Sequence, residues 1–266
     1  MKQYFEGYYL KHQKDGITLC LITGRTNKEN FIQVVTNDFS VRLPFNKGIS
    51  FSRKGVILNI RTPKLSLIGK IRYHGLSPIR YDIMGIFKFF KMECRHGIVS
   101  MEHRLEGSIV LNGEIIDFTG GKGYIEKDSG CSFPSSYTWI QANDFDEPCS
   151  IMAAIAAIPF GCLHFRGCIC IIQYHGREYR LATYLGVRVL SCSKNRIVLK
   201  QGKYRLEIAI KEYHGHRLAA PRNGEMTRTI REAASCPATF SFYKKEKVIF
   251  RLESRYASFE WEGDEK

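Results

Sequence analysis

Residues Gly120–Asn143, GGKGYIEKDSGCSFPSSYTWIQAN, decide how the rest of the chain is read. This stretch gathers glycines 120, 121, 123 and 130, the acids Glu126 and Asp128, the lysines 122 and 127, Pro134 and four aromatic residues. Sequence of similar texture lies on both sides. A mid-chain concentration of glycine and charge of this kind reads as a junction between two β-barrel halves that also supplies polar groups to a pocket between them. Glu126 and Asp128 are two residues apart, so in an extended segment they share one face, with Lys127 on the other. Paired carboxylates can share a proton, which raises one pKa into the range useful for protonating a substrate. The alternative for the pair is a structural ion-pair knot. Gly-Gly-Lys-Gly is not a phosphate loop, because the spacing and the following Ser or Thr are wrong.

On either side, Val, Ile, Phe and Tyr runs broken by Gly, Asn and Asp recur about every ten residues, as in a meandering β protein. Tyr4–Leu10, Ile17–Thr23, Phe31–Thr36, Val56–Ile60 and Lys64–Ile71 read as strands. Val99–Leu105 and Gly107–Leu111 read as a hairpin pair, and the Asn112-Gly113 step marks a tight turn. The second half repeats the pattern from Thr138 to Glu253, with Arg228–Ser235 read as one short helix ended by Pro237. A single antiparallel sheet of about eighteen strands would have to split or curl. The expectation is therefore all-β, with two consecutive antiparallel barrels over 1–122 and 123–266.

Composition narrows the function. At 266 residues, with 44% hydrophobic and 25% charged residues, the chain is an ordinary globular one. No leader-like apolar run opens it, and no run reaches the roughly 18–20 apolar residues of a membrane helix. Nine cysteines, several within apolar runs (20, 162, 168, 170), suit reduced core thiols and a cytoplasmic setting. Their spacing does not assemble zinc. No dinucleotide or serine-elbow motif is present, and no metal or other cofactor is expected. The net charge of +14 is dispersed, without a recognition helix, so nucleic acid is not an expected partner. Transient contact with an anionic membrane surface is compatible with it.

Two further clusters carry chemistry. Phe5-Glu6-Gly7-Tyr8-Tyr9 places Glu6 and Tyr8 on one strand face, where the alternative is a barrel-closing strand with Glu6 ion-paired. Glu93, His96 and His103 fall within eleven residues and are candidates for proton handling, since histidine titrates near neutrality.

At these residues the sequence resembles the tocopherol cyclase-like family. The markers stand as Phe5-Glu6-Gly7-Tyr8-Tyr9, then Gly123-Tyr124-Ile125-Glu126-Lys127-Asp128-Ser129-Gly130 with Phe133-Pro134 and Trp139-Ile140-Gln141, and finally Gly215-His216-Arg217-Leu218-Ala219-Ala220-Pro221. The family is related to carotenoid hydratases and lipocalin-like pericyclases. The resemblance implies two lipocalin-like barrels and a hydrophobic, isoprenoid-like ligand at or between them. It further implies a cofactor-free cyclase, isomerase or hydratase working by alkene protonation. Asp128 or Glu126 would be the acid, and Glu6, Tyr8, Tyr124, Trp139 and Gln141 would surround the ligand. Tyr8 and Ser129 stand where the family pattern has tryptophan. The rival reading is a carrier that binds a hydrophobic molecule without reacting.

Overall fold

Alternating apolar and polar residues resolve into strands over 4–44, 47–160 and 163–263, the residues described by the computed structural model. The first half contains β1 (Phe5–Lys14), β2 (Ile17–Thr26), β3 (Asn30–Thr36), β4 (Ser40–Leu43), β5 (Ile49–Ser52), β6 (Gly55–Thr62), β7 (Leu65–His74), β8 (Cys94–Leu111), β9 (Glu114–Asp117) and β10 (Lys122–Gly130). The second contains β11 (Tyr137–Ala142), β12 (Cys149–Phe160), β13 (Leu163–Tyr174), β14 (Arg177–Ala182), β15 (Arg188–Ser193), β16 (Arg196–Gln201), β17 (Tyr204–Ile210), β18 (His216–Arg222), β19 (Glu225–Lys244) and β20 (Lys247–Glu262).

One sheet runs β4-β3-β2-β1-β10-β8-β7-β6-β5, with β9 also on β8. The other runs β14-β13-β12-β11-β20-β19-β17-β16-β15, with β18 also on β19. The two paths have one design, except that a long strand and its short companion swap order (β8 then β9, β18 then β19). In each sheet the edge strands are consecutive in sequence, as in a sheet curled back on itself. The fold is two lipocalin-like antiparallel barrels.

Each barrel has its own core. Leu10, Leu21, Val34, Leu58, Leu67, Leu105 and Ile125 fill the first, and Ile140, Ile151, Cys170, Leu199, Phe240 and Phe242 fill the second. A third cluster, with Tyr9, Cys20, Met101, Tyr124, Trp139, Met152, Ile171 and Ile230, lies between them. Strands β1, β10, β11 and β12 are thus buried on both faces. That is why Tyr9–Gln13 and Thr138–Ala142 show no alternation of burial.

Three sequence expectations change. The stretch 99–111 is one strand, β8, not a hairpin. Gly107 bends it without breaking it, at φ 123°, opposite Ile71. Arg228–Ser235 is not helical. It lies within β19, paired to β18 and β20, and its Ile230, Glu232 and Ala234 are buried. The ladders on both sides override its local pattern. Finally, β10 pairs with β1 and β8, so the chain passes between sheets at 131–136 rather than at 122/123. The described cysteines are free thiols, five of them buried. Cys162 lies outside the described residues. No helix among the described residues is long and apolar enough to cross a membrane.

A Cβ at Gly107 would meet the Lys70 carbonyl oxygen at 2.3 Å, on a backbone that side chains rarely adopt. Gly107→Ala is expected to lower unfolding free energy by about 1–3 kcal/mol. A urea titration reads this as a lower midpoint, with exposed Ser108→Ala as the unchanged control.

Candidate active site

Antiparallel pairing decides which side chains meet. On β10, Glu126 is paired with Tyr9 of β1 and Ile98 of β8, while Asp128 is paired with Gly7 and His96. Directly paired residues share a face. Glu126, Asp128 and His96 therefore project together from the first barrel toward the second.

His96 sits between the two acids. Its Nδ1 is 2.8 Å from Asp128 Oδ1. Its Nε2 is 3.4 Å from Glu126 Oε2, an ion-pair distance without hydrogen-bond geometry. Glu126 Oε2 also accepts from the Tyr124 hydroxyl at 2.6 Å and from Trp139 Nε1 at 3.1 Å. Trp139 comes from β11, so the second barrel completes the shell of the first barrel's acid.

Burial opposes charge on His96, but Asp128 and Glu126 outweigh it and hold the imidazole up at about 9. Burial pushes Glu126 up to about 7, against the pull of His96 and with the push of Asp128. The group therefore keeps an imidazolium at neutral pH beside a carboxyl that exchanges its proton there. The donor atoms of His96, Glu126 and Asp128 lie within 4.8 Å of one another, close enough for a metal. Both ring nitrogens face a carboxyl group, however, and an imidazolium held between them offers no lone pair to an ion.

These three residues open onto a cavity between the barrels, with about 1300 Å³ of non-atom space partly continuous with solvent. Phe5, Tyr9, Ile22 and Phe31 form one side, Trp139, Tyr137, Ala154 and Ile169 another, and Leu218, Ala219 and Pro221 of β18 a third. Phe133 and Pro134, in the crossing between sheets, also line it. A second acid reaches it from β20. Glu260 accepts a hydrogen bond from Tyr137, and burial, reinforced by nearby Glu232, holds its carboxyl well above the usual range.

The other sequence candidates lie elsewhere. Glu93 is exposed and offers its carbonyl to the Cys131 and Ser132 amides. His103 packs inside the first barrel on Tyr73, with ring centroids 4.5 Å apart, and burial drives it down to about 3. It is a neutral core histidine. Glu6 and Tyr8 do share a face, but it is the face opposite Glu126. Glu6 pairs with Lys127 at 3.0 Å and with Arg25 at 3.7 Å. Tyr8 borders the cavity, yet its ring packs on Phe51 beneath Lys127. Ser129 is paired with Glu6 on that same far face. Gln141 is fully buried and accepts from Lys11 Nζ at 3.1 Å. Lys11 also donates to the Tyr256 carbonyl at 2.7 Å, which ties the barrels together. Tyr124 lies beneath Glu126 rather than on the cavity wall.

Residues not singled out from sequence also gather here. Tyr9 donates to Glu232 of β19 at 2.6 Å, and burial lifts that carboxyl to about 7. Apolar runs around Glu232 and Glu260 were the only local signal, since their partners lie more than a hundred residues away.

Residues 73–263 match the model of the tocopherol cyclase-like family. The chain belongs to the tocopherol cyclase-like family. The match takes in the His96, Glu126 and Asp128 group, the 131–136 crossing and the β18 wall. No curated protein matches this family member. Among solved structures it is similar to kievitone hydratase from Nectria haematococca, with TM-score 0.55, 14% identity, and 97% of this chain and 88% of that one covered. It is also similar to CghA solved with Sch210972, with TM-score 0.61, 7% identity, and 99% and 90% covered. At these identities the likeness is one of fold.

His96 should titrate by NMR with a midpoint near 9. Asp128→Asn should move that midpoint down by at least about one unit, toward the ordinary histidine value. Because its folded pKa is raised, the stability His96 contributes is complete below about 6.5 and is lost as pH rises through about 9.

Proposed function

We propose that this protein adds an oxygen nucleophile across a carbon–carbon double bond of a lipophilic, isoprenoid-like compound, as a cyclase or hydratase. The observation that carries the reading is a carboxyl held near neutrality, Glu126, opening onto an apolar cavity beside an imidazolium. An acid of this kind is pointless in a simple carrier, whose ligand needs only shape and apolar contact. Membership in the tocopherol cyclase-like family and a likeness in fold to kievitone hydratase support the same reaction class.

The chemistry balances with protons alone. Glu126 accepts its neighbours' hydrogen bonds at Oε2, which leaves Oε1 to carry the proton. That proton moves to one alkene carbon, and the other carbon becomes cationic. The new Glu126 carboxylate is stabilised by the Tyr124 hydroxyl, the Trp139 indole N–H and the His96 imidazolium. The rings of Trp139, Tyr137 and Phe133 line the cavity and offer π faces to the cation. A hydroxyl of the ligand gives a ring on capture, and a water gives an alcohol. The proton released from that oxygen passes to Asp128 and returns through solvent in the open cavity to Glu126 Oε1, with His96 an imidazolium throughout, so the starting state is restored. Such proton transfer contributes on the order of 10²–10⁴ in rate.

The carrier reading differs in one outcome. Hydrophobic compounds extracted from the protein purified from its host identify the ligand. Incubating the ligand with protein in D2O should place one deuterium on carbon in the product. Glu126→Gln should lower turnover by about 10²-fold or more, with ligand binding retained. Unchanged turnover in both Glu126→Gln and Asp128→Asn would sink the proton-transfer reading. Binding without any deuterium uptake would favour the carrier. As pH rises through about 7, Glu126 loses its proton, so activity should fall on that limb.

A further inference from the structure

The chain from Gly75 to Glu93 links β7 to β8 and carries the short 3₁₀ turn Gly85–Phe89. It belongs to the first half but is fixed to the second. Arg180 of β14 donates to the carbonyls of Tyr81 and Asp82, and its guanidinium lies 3.6 Å from the Tyr81 ring centroid. The Tyr184 hydroxyl donates to the Ile83 carbonyl, and Glu178 accepts the Arg80 amide. Gly85, at φ 55°, lies so close to the Tyr184 ring that an added Cβ would be 2.5 Å from it. The segment is clamped at several points.

A clamped segment could bury its apolar residues, yet this one displays them. Phe89 is 79% exposed, Ile86 57%, and Tyr81 and Phe90 about half. Of the eleven exposed large hydrophobic side chains among the described residues, four fall within 81–90. A fifth, Leu185, lies on the neighbouring 3₁₀ turn Thr183–Leu185, whose Tyr184 meets Phe87 edge-on. Scattered exposed apolar residues are ordinary, but a contiguous set is a contact surface. Lys88, Lys91 and Arg80 are exposed in the same segment, with exposed Arg95 just beyond it at the start of β8, against Asp82 and Glu93. Met84, Phe87 and Met92 turn inward from it and line the cavity.

We propose that this rim is a membrane-docking surface. Ile86, Phe89 and Phe90 enter the interfacial layer of an anionic bilayer, the four basic residues meet its headgroups, and a lipophilic ligand passes from lipid into the cavity behind Phe87. Charge complementarity favours the bilayer over a protein partner. Basic side chains flanking aromatic and aliphatic ones suit an anionic interface, and the chain carries +14 overall. The inference rests on reading the cavity as a site for a lipophilic compound, not on the proton-transfer step.

The experiment is co-sedimentation of the full chain with vesicles of phosphatidylcholine containing about one-quarter phosphatidylserine. Binding is expected, and it should weaken as salt rises from about 0.1 M to about 1 M, where the Debye length falls from ~10 Å to ~3 Å. The doubly substituted Phe89→Ser/Phe90→Ser and Lys88→Glu/Lys91→Glu proteins should each bind at least about tenfold more weakly. All four side chains are exposed, so an unchanged thermal midpoint checks folding. Turnover of detergent-dissolved ligand should stay at the wild-type level in these variants, while Glu126→Gln should leave vesicle binding intact. The two readings can therefore fail separately. The proposal is overturned by no sedimentation, by equal binding to pure phosphatidylcholine, or by variants that bind as wild type. It is also overturned if Phe89→Ser/Phe90→Ser dissolves a dimer seen by analytical ultracentrifugation, which would make the patch an interface between two copies.

Discussion

A carboxylate removed from water must be neutralised, paired or hydrogen-bonded, because isolated burial of the charge costs far more than a domain can spare. The contact between these two barrels buries Glu126, Glu232 and Glu260, together with the ammonium of Lys11. Glu260 is met by Tyr137 of its own barrel, while the other three have partners that cross from one barrel to the other. Trp139 reaches over to Glu126, Tyr9 to Glu232, and Lys11 to Gln141 and the Tyr256 carbonyl. Neither barrel satisfies its own polar groups alone. The apolar residues around them, from Met101 to Met152, supply favourable burial, while the polar crossings fix one relative placement. That placement creates the cavity and aims the acids into it.

Much of this was legible in the sequence. Strands announced themselves by alternation, and the junction by its glycines and charges. Glu126 and Asp128 were readable as a pair because an extended chain puts residues two apart on one face. His96 could be suspected from its type, but which acids it would meet depended on the β8–β10 register. Where reading failed, the cause was a face or a ladder set at long range. Glu6 and Tyr8 were correctly placed on one face, yet nothing local says which side of a doubly buried strand meets the other barrel. His103 lies seven residues beyond His96 on the same strand, an odd separation whose sense two pairing shifts between Gly123 and Glu126 leave unchanged, and it turns into the first core. Gln141 belongs to Lys11, 130 positions away. The 228–235 stretch looks helical alone and is a strand only because β18 and β20 flank it.

The register also gives meaning to the two departures from the family pattern. Tyr8 and Ser129 both lie on the side of β1 and β10 that carries Glu6 and Lys127. The loss of tryptophan there alters the packing of the first barrel rather than the shell around Glu126. The aromatic residues that touch the acid, Tyr124 and Trp139, are the ones retained.

The shared strand order of the two barrels bears on handedness. β8 and β10, which carry His96, Glu126 and Asp128, correspond in position to β19 and β20, which carry Glu232 and Glu260. The two walls of the cavity share one plan and both carry acids, but among the described residues only the first sets an imidazole beside its acid. If a planar unsaturated molecule lies between them, one face meets the acid beside the imidazolium and the other meets Glu260. Under the proposed chemistry, the configuration of a new stereocentre is written into which barrel bears the histidine, and an equivalent histidine on β19 would present the opposite face.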